Sequence, residues 1–181
     1  MSTPEKAGPE DRFIAYLAGL ADKENRGALA ALRRGLGRPP GTAAEMHPYV
    51  MPYLPRGWGW WQECFYIVAC LFALHPAARR EGNFGDTFHA VCSETGGDSI
   101  EARFVALLNA HREDLFGHLR HAVSLAKAKD APVDWKRLLR DVQHWDDDAR
   151  WVQRDWARAF WGTGGAAGQD IEQPVAKGEH P

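Results

Sequence analysis

Apolar side chains recur at helical spacing along most of this chain, and their rows set out its elements. Phe13, Ile14, Leu17 and Leu20 mark a first helix over 10–21. Leu29, Leu32 and Leu36 mark a second over 25–36, which Gly37, Pro39, Pro40 and Gly41 stop. A short helix is expected over 42–47. Pro48, Pro52 and Pro55 then forbid a long helix over 48–55, because each lacks an amide donor and its ring crowds the preceding turn. The strongest element is 57–74. Trp58, Trp60, Trp61, Phe65, Tyr66, Ile67, Val68, Leu71, Phe72 and Leu74 surround most of its circumference, which places it at the centre of the core, and Pro76 ends it.

Beyond the loop at 79–83, Phe84, Phe88 and Val91 define a helix over 84–94, and Gly96 and Gly97 break the chain. Ser99 is the expected N-cap of a helix over 100–110. Leu115, Leu119, Ala122 and Ala126 form the stripe of a longer helix over 113–129. Asp134 is expected to cap a helix carrying Trp135, Leu138, Leu139, Val142 and Trp145, and Val152, Trp156 and Phe160 line a last one over 147–161. No segment alternates as a strand would, and nothing repeats. The expected fold class is therefore all-α, about eight or nine helices in two small bundles: an N-terminal one over 10–95 and a C-terminal one over 98–161. Residues 1–9 are expected to fray, and the tail 162–181 has no periodicity and reads as disordered.

Composition refines this picture. Eight tryptophans in 181 residues point to a core built from large rings. The longest apolar run, Cys64 to Leu74, is far short of the roughly 20 residues that span a bilayer, so it reads as a core helix and no membrane contact is expected. Cys64, Cys70 and Cys92 are odd in number and lack metal spacing, which suits free thiols in a reducing compartment. With no apolar stretch in MSTPEKAGPEDR to act as a signal peptide, the expected location is cytoplasmic. The net charge of -2 argues against non-specific coating of DNA, and it directs attention to how charge is distributed.

A search for catalytic chemistry finds no GxxxxGK[ST], GxGxxG or HExxH motif, and neither an enzyme nor a cofactor is expected. His118 and His121 share a helix face, but two ligands do not complete a transition-metal site. Asp146, Asp147 and Asp148 fall at a helix junction, where a solvated first turn explains them better than a hard cation. His89 lies at helical spacing from Cys92 without a group to orient it.

The basic positions carry more information. The stretch 25–44 holds Arg26, Arg33, Arg34 and Arg38 and no acid. Arg26 and Arg33, seven apart, lie nearly in line and off the apolar stripe. The stretch 115–129 is also acid-free and holds His118, Arg120, His121, Lys127 and Lys129, with Arg120 and Lys127 again in line. Lys136, Arg137 and Arg140 lie opposite the apolar face of the next helix, and the last helix adds Arg150, Arg154 and Arg158. Each such arginine alone reads as a solvated side chain or one paired with a neighbouring helix. As a set, acid-poor basic rows on several helices suit a phosphate backbone. The candidate nucleic-acid-binding residues are Arg26, Arg33, Arg34, Arg38, Arg120, Lys127, Lys129, Lys136, Arg137 and Arg140.

The run Arg26-Gly27-Ala28-Leu29-Ala30-Ala31-Leu32-Arg33-Arg34-Gly35-Leu36-Gly37 resembles an N-terminal signature of the CasB family, the small subunit of the type I-E CRISPR surveillance complex Cascade. The likeness continues in order through Ala69 to Pro76, Asn83-Phe84-Gly85, Ser99 to Phe104, His118-Leu119-Arg120, Val133-Asp134-Trp135 and Trp156 to Trp161. Each motif alone is short; their order over about 12–161 makes the likeness specific. The stretch after His118-Leu119-Arg120 departs from the family pattern, which leads us to expect a second apolar residue at Ala126 and a shorter polar one at Ala128.

The resemblance implies two helical bundles, no catalysis, and two copies set head to tail in the complex. The implied partners are the large subunit, the crRNA-bearing backbone subunits, a second copy, crRNA, and the target and displaced DNA strands. The implied role is to hold the R-loop open. An alternative is a purely structural adaptor whose basic rows meet acidic faces of partner proteins.

Overall fold

The computed structural model describes residues 8–95 and 97–162. Gly96 of the expected junction, residues 1–7 and the tail from 163 onward lie outside the described residues. Those described hold nine α-helices: α1 (Pro9–Asp22), α2 (Arg26–Arg33), α3 (His47–Val50), α4 (Trp60–Leu74), α5 (Phe84–Thr95), α6 (Asp98–Leu108), α7 (Arg112–Ala128), α8 (Trp135–Gln143) and α9 (Trp151–Trp161). Single 3-10 turns at Ala44–Met46 and Met51–Tyr53 flank α3, so the proline-rich segment is a chain of short turns, as its three prolines require. The fold class is all-α. One isolated bridge, Ala78 to Val133, ties two loops together, and there is no strand among the described residues. No helix here is long and apolar enough to cross a membrane.

Several ends differ from expectation for local reasons. Helix α1 starts at Pro9, whose fixed φ suits a first helical turn, rather than after a frayed residue 9. Helix α2 stops at Arg33. The amides of Arg34, Gly35 and Leu36 bond back three residues instead of four, which tightens the chain so that Gly35 seats against Met46 and Cys70. Helix α4 begins at Trp60 and not at residue 57, because Gly57 adopts a left-handed φ of 98°. Ser99 does not cap α6, which starts one residue earlier. Helix α9 begins at Trp151, since Asp147 caps a turn through the amide of Ala149 and Arg150 is left-handed at φ 47°. Asn25 caps α2 and Asp134 caps α8, each through its side-chain oxygen.

Helix α4 is buried from Cys64 to Ala73 and sits between α2, α7 and α8. Helix α1 rests on α8 and α2, while α5 packs against α9, α6 and α7. The buried side chains form one cluster with members on both sides of residues 96–97. Phe72 meets Trp135 edge-on at 5.5 Å, and Trp145 meets Trp156 at 5.1 Å. Phe104 stacks on both Phe88 and Phe160. The α5–α9 contact brings backbone to backbone: a Cβ on Gly85 would run into the Trp156 carbonyl. Beside it, Asn83 holds the end of α5 by accepting from the Gly85 amide and donating to the Asp155 carbonyl. The Asn83-Phe84-Gly85 motif therefore has a packing cause. Ala126 is fully buried despite its small size, and Ala128 is exposed.

Candidate nucleic-acid interface

The ten cations singled out in the sequence fall into two groups on different parts of the fold. Seven belong to α2, the loop after it and α7. Three belong to α8.

In the first group, Arg33 donates from Nε to the Ala73 carbonyl at the end of α4, 2.8 Å away, and its two Nη groups bond nothing else among the described residues. The chain then turns through Gly37, whose φ of 78° is left-handed. The turn presses Gly37 against α7: a Cβ added there would lie 2.9 Å from Nη1 of Arg120. Arg38 follows, and residues 37–40 share with α4 and α7 a groove of about 540 Å³ whose charged lining is mixed, Arg38 and Arg112 with Glu63, Glu113 and Asp114. The end of α2 and the middle of α7 thus bring Arg33, Arg38 and Arg120 to one stretch of surface. Lys127 continues it two turns along α7, about 10 Å from Arg120 along the axis. Arg26 stands exposed at the start of α2, and Lys129 half-exposed at the end of α7. Arg34 pairs with Glu45 at 2.9 Å, both side chains exposed. The backbone amide of Glu45, then the Arg34 and Arg38 guanidinium groups, outweigh desolvation and hold its carboxyl below the usual range. Arg26, Arg33, Arg38, Arg120, Lys127 and Lys129 have no carboxylate within 4.0 Å among the described residues.

The second group lines a groove of about 620 Å³ between α1 and α8, floored by Ile14, Ala18, Phe72 and Trp135. Two of its cations, Lys136 and Arg137, are tied down. Lys136 pairs with Asp11 of α1. Arg137 bonds Asp141 at 2.8 Å and Asp155 of α9 at 3.2 Å. Burial opposes the charge of Arg137, and the two carboxylates outweigh it and raise its pKa. Asp141 is fully buried. Burial lifts its carboxyl above the usual range, against the pull of the Trp156 indole at 2.6 Å and of Arg137. Arg140 lies 5.7 Å over the Trp151 ring.

The acid-poor rows read from the sequence thus meet acids from elsewhere in the fold: on α8, Asp11 and Asp155 arrive from neighbouring helices and pair with Lys136 and Arg137, and beside α2 Glu45 pairs with Arg34, while Arg33, Arg38, Arg120 and Lys127 keep no carboxylate within 4.0 Å among the described residues. Sequence reasoning also missed Arg79 and Arg80, which line the α1–α8 groove, and Trp61, which stands half-exposed at its edge beside His144. The consecutive arginines in a loop were the available signal.

No three His, Cys, Asp or Glu side chains converge on a metal position among the described residues. Asp146 pairs with Arg112 at 3.3 Å, and His89 is spent on the Phe160 carbonyl. Cys64 and Cys70 are buried free thiols. Burial pushes Cys70 up to about 12 and Cys64 higher still, so neither is a nucleophile at neutral pH.

These observations define an all-helical protein whose α2–α7 face carries exposed arginines and lysines without carboxylate partners among the described residues. The chain belongs to the CRISPR-associated Cse2 family: the family model described as CRISPR-associated protein Cse2 matches residues 28–161. A Cse2 protein of Thermus thermophilus is 38% identical over 161 residues, covering 86% of this chain and 92% of that protein. The crystal structure of a Cse2-family protein from Thermus thermophilus superposes with a TM-score of 0.76 at 35% identity, covering 86% of this chain and 99% of that one. A chain from a CRISPR RNA-guided surveillance complex superposes with a TM-score of 0.72 at 26% identity, covering 86% and 92%. The family read from the ordered motifs is thus the family found.

Proposed function

We propose that this protein is the small, non-catalytic subunit of a type I-E CRISPR surveillance complex, Cascade, and that its α2–α7 face tracks nucleic-acid backbone to stabilise the R-loop. The observation that carries this reading is the unpaired state of Arg33, Arg38, Arg120 and Lys127 on one stretch of surface. Free cations that need not break ion pairs are suited to phosphate contacts, which hold a strand in place without reading its sequence. Exchange of a DNA duplex for a guide–target duplex is nearly balanced, so modest backbone contacts tip it. The partners in this reading are the large subunit, the crRNA-bearing backbone subunits, a second copy, crRNA, and the target and displaced strands.

A second reading, structural adaptor, is favoured at the α1–α8 groove alone. There Lys136 and Arg137 are already paired, and an apolar floor with Trp61 at its edge suits a protein segment better than a strand. The test is R-loop formation by the assembled complex carrying R33E, R120E and K127E together. We expect intact assembly with target binding weakened at least tenfold at moderate salt. Failed assembly with no effect on DNA binding by the isolated chain would favour the adaptor throughout.

A further inference from the structure

On the flank of α7 away from Arg120 lies a second pocket, of about 390 Å³, lined by Arg103 and Ala106 of α6, Phe88 of α5, and His118, His121, Ala122 and Leu125 of α7. Its polar side chains are all basic in type. No carboxylate lines it, and Arg103, His118 and His121 have no hydrogen-bond or ion-pair partner among the described residues. Its floor is firm, because Phe88 is buried and stacked on Phe104 at 5.1 Å. Two imidazoles and a guanidinium do not make a metal site, since Arg ligates no cation, but their N–H groups all donate to one acceptor-rich anion.

The position follows from helix geometry. At about 100° per residue, Ser124 lies about 40° around α7 from Arg120, and His121 about 100°. Beside His118 and His121 the exposed residues between the two flanks, Gly117 and Ser124, are small, and Glu113 lies on the same strip one turn before Gly117. A chain of phosphates leaving Arg120 and Lys127 therefore crosses a low ridge and meets Arg103, His118 and His121 on the far side. We propose that this α6–α7 pocket holds a backbone phosphate of the same nucleic-acid strand, so that the strand straddles α7. The proposal rests on the reading of α2–α7 as a backbone track.

The experiment measures binding of a fluorescent single-stranded oligodeoxynucleotide to the full-length chain and to the assembled complex, over a range of salt. It compares R103Q/H118Q/H121Q with R120Q/K127Q. The pocket variant is expected to lose about tenfold in affinity, with a salt slope shallower by about 0.7 for each phosphate no longer held. R103K should retain most of the binding. A pocket variant that binds like the parent while R120Q/K127Q weakens overturns the pocket and leaves the track standing. If neither variant weakens, the track fails with it. If the pocket variant fails to assemble while its oligonucleotide binding is unchanged, the pocket serves an acidic protein partner and the proposal is overturned.

Discussion

The α2–α7 face and the α1–α8 groove both gather basic side chains and use them in opposite ways. On the face, Arg120 and Lys127 have no carboxylate within 4.0 Å among the described residues, and the glycine turn at Gly37 packs against Arg120. In the groove, Arg137 bonds Asp141 of its own helix and joins α8 to α9 through Asp155, and Lys136 joins α8 to α1 through Asp11. A half-buried cation with two partners is committed to the fold; an exposed one without partners is available to a ligand. The difference teaches that a basic row on a helical wheel is not yet a binding surface. What neighbouring helices bring against it decides.

This comparison can be broken by measuring stability and binding separately. The largest stability effect should come from R137A, which leaves the Asp141 carboxylate buried without its cation; a loss of about 3 kcal/mol is expected in denaturant unfolding. R120A/K127A should change stability by less than about 0.5 kcal/mol, as for exposed residues without special contacts. Equal losses in the two variants would erase the distinction. Next is G85A. Its methyl meets the Trp156 carbonyl, and overpacking of this kind costs about 1–3 kcal/mol. G37A is smaller, about 1 kcal/mol from its left-handed φ, and it also pushes against Arg120. It should therefore weaken DNA binding more than its stability loss explains. The smallest effect concerns the thiols: in the native protein, Cys64 and Cys70 should stay unmodified by a thiol reagent at pH 7, and rapid labelling of Cys70 would contradict its burial.

Much of the fold was legible in the sequence. The apolar circumference of 57–74 located the central helix, and the Asp134 cap and the proline-broken segment were also readable. Helix ends were less so. Gly57 and Arg150 take left-handed conformations, and Gly35 seats against Met46 and Cys70, none of which helical periodicity records. The candidate site was legible as a set of cations but not as a division among them. Asp11 and Lys136 are far apart in sequence, as are Arg137 and Asp155, and only the packing of α1 and α9 on α8 makes them pairs. The pocket of Arg103, His118 and His121 was half-visible as two histidines on one face, and α6 supplies the arginine.

The central claim is that the face contacts phosphate and the groove does not. It is tested most directly by the salt dependence of target DNA binding by the assembled complex carrying R120Q/K127Q, set against K136Q in the groove, where Lys136 is paired with Asp11. The account predicts a shallower salt slope, by about one unit for each phosphate no longer neutralised, for the face variant alone. An unchanged slope for R120Q/K127Q, or an equal change for K136Q, would contradict it.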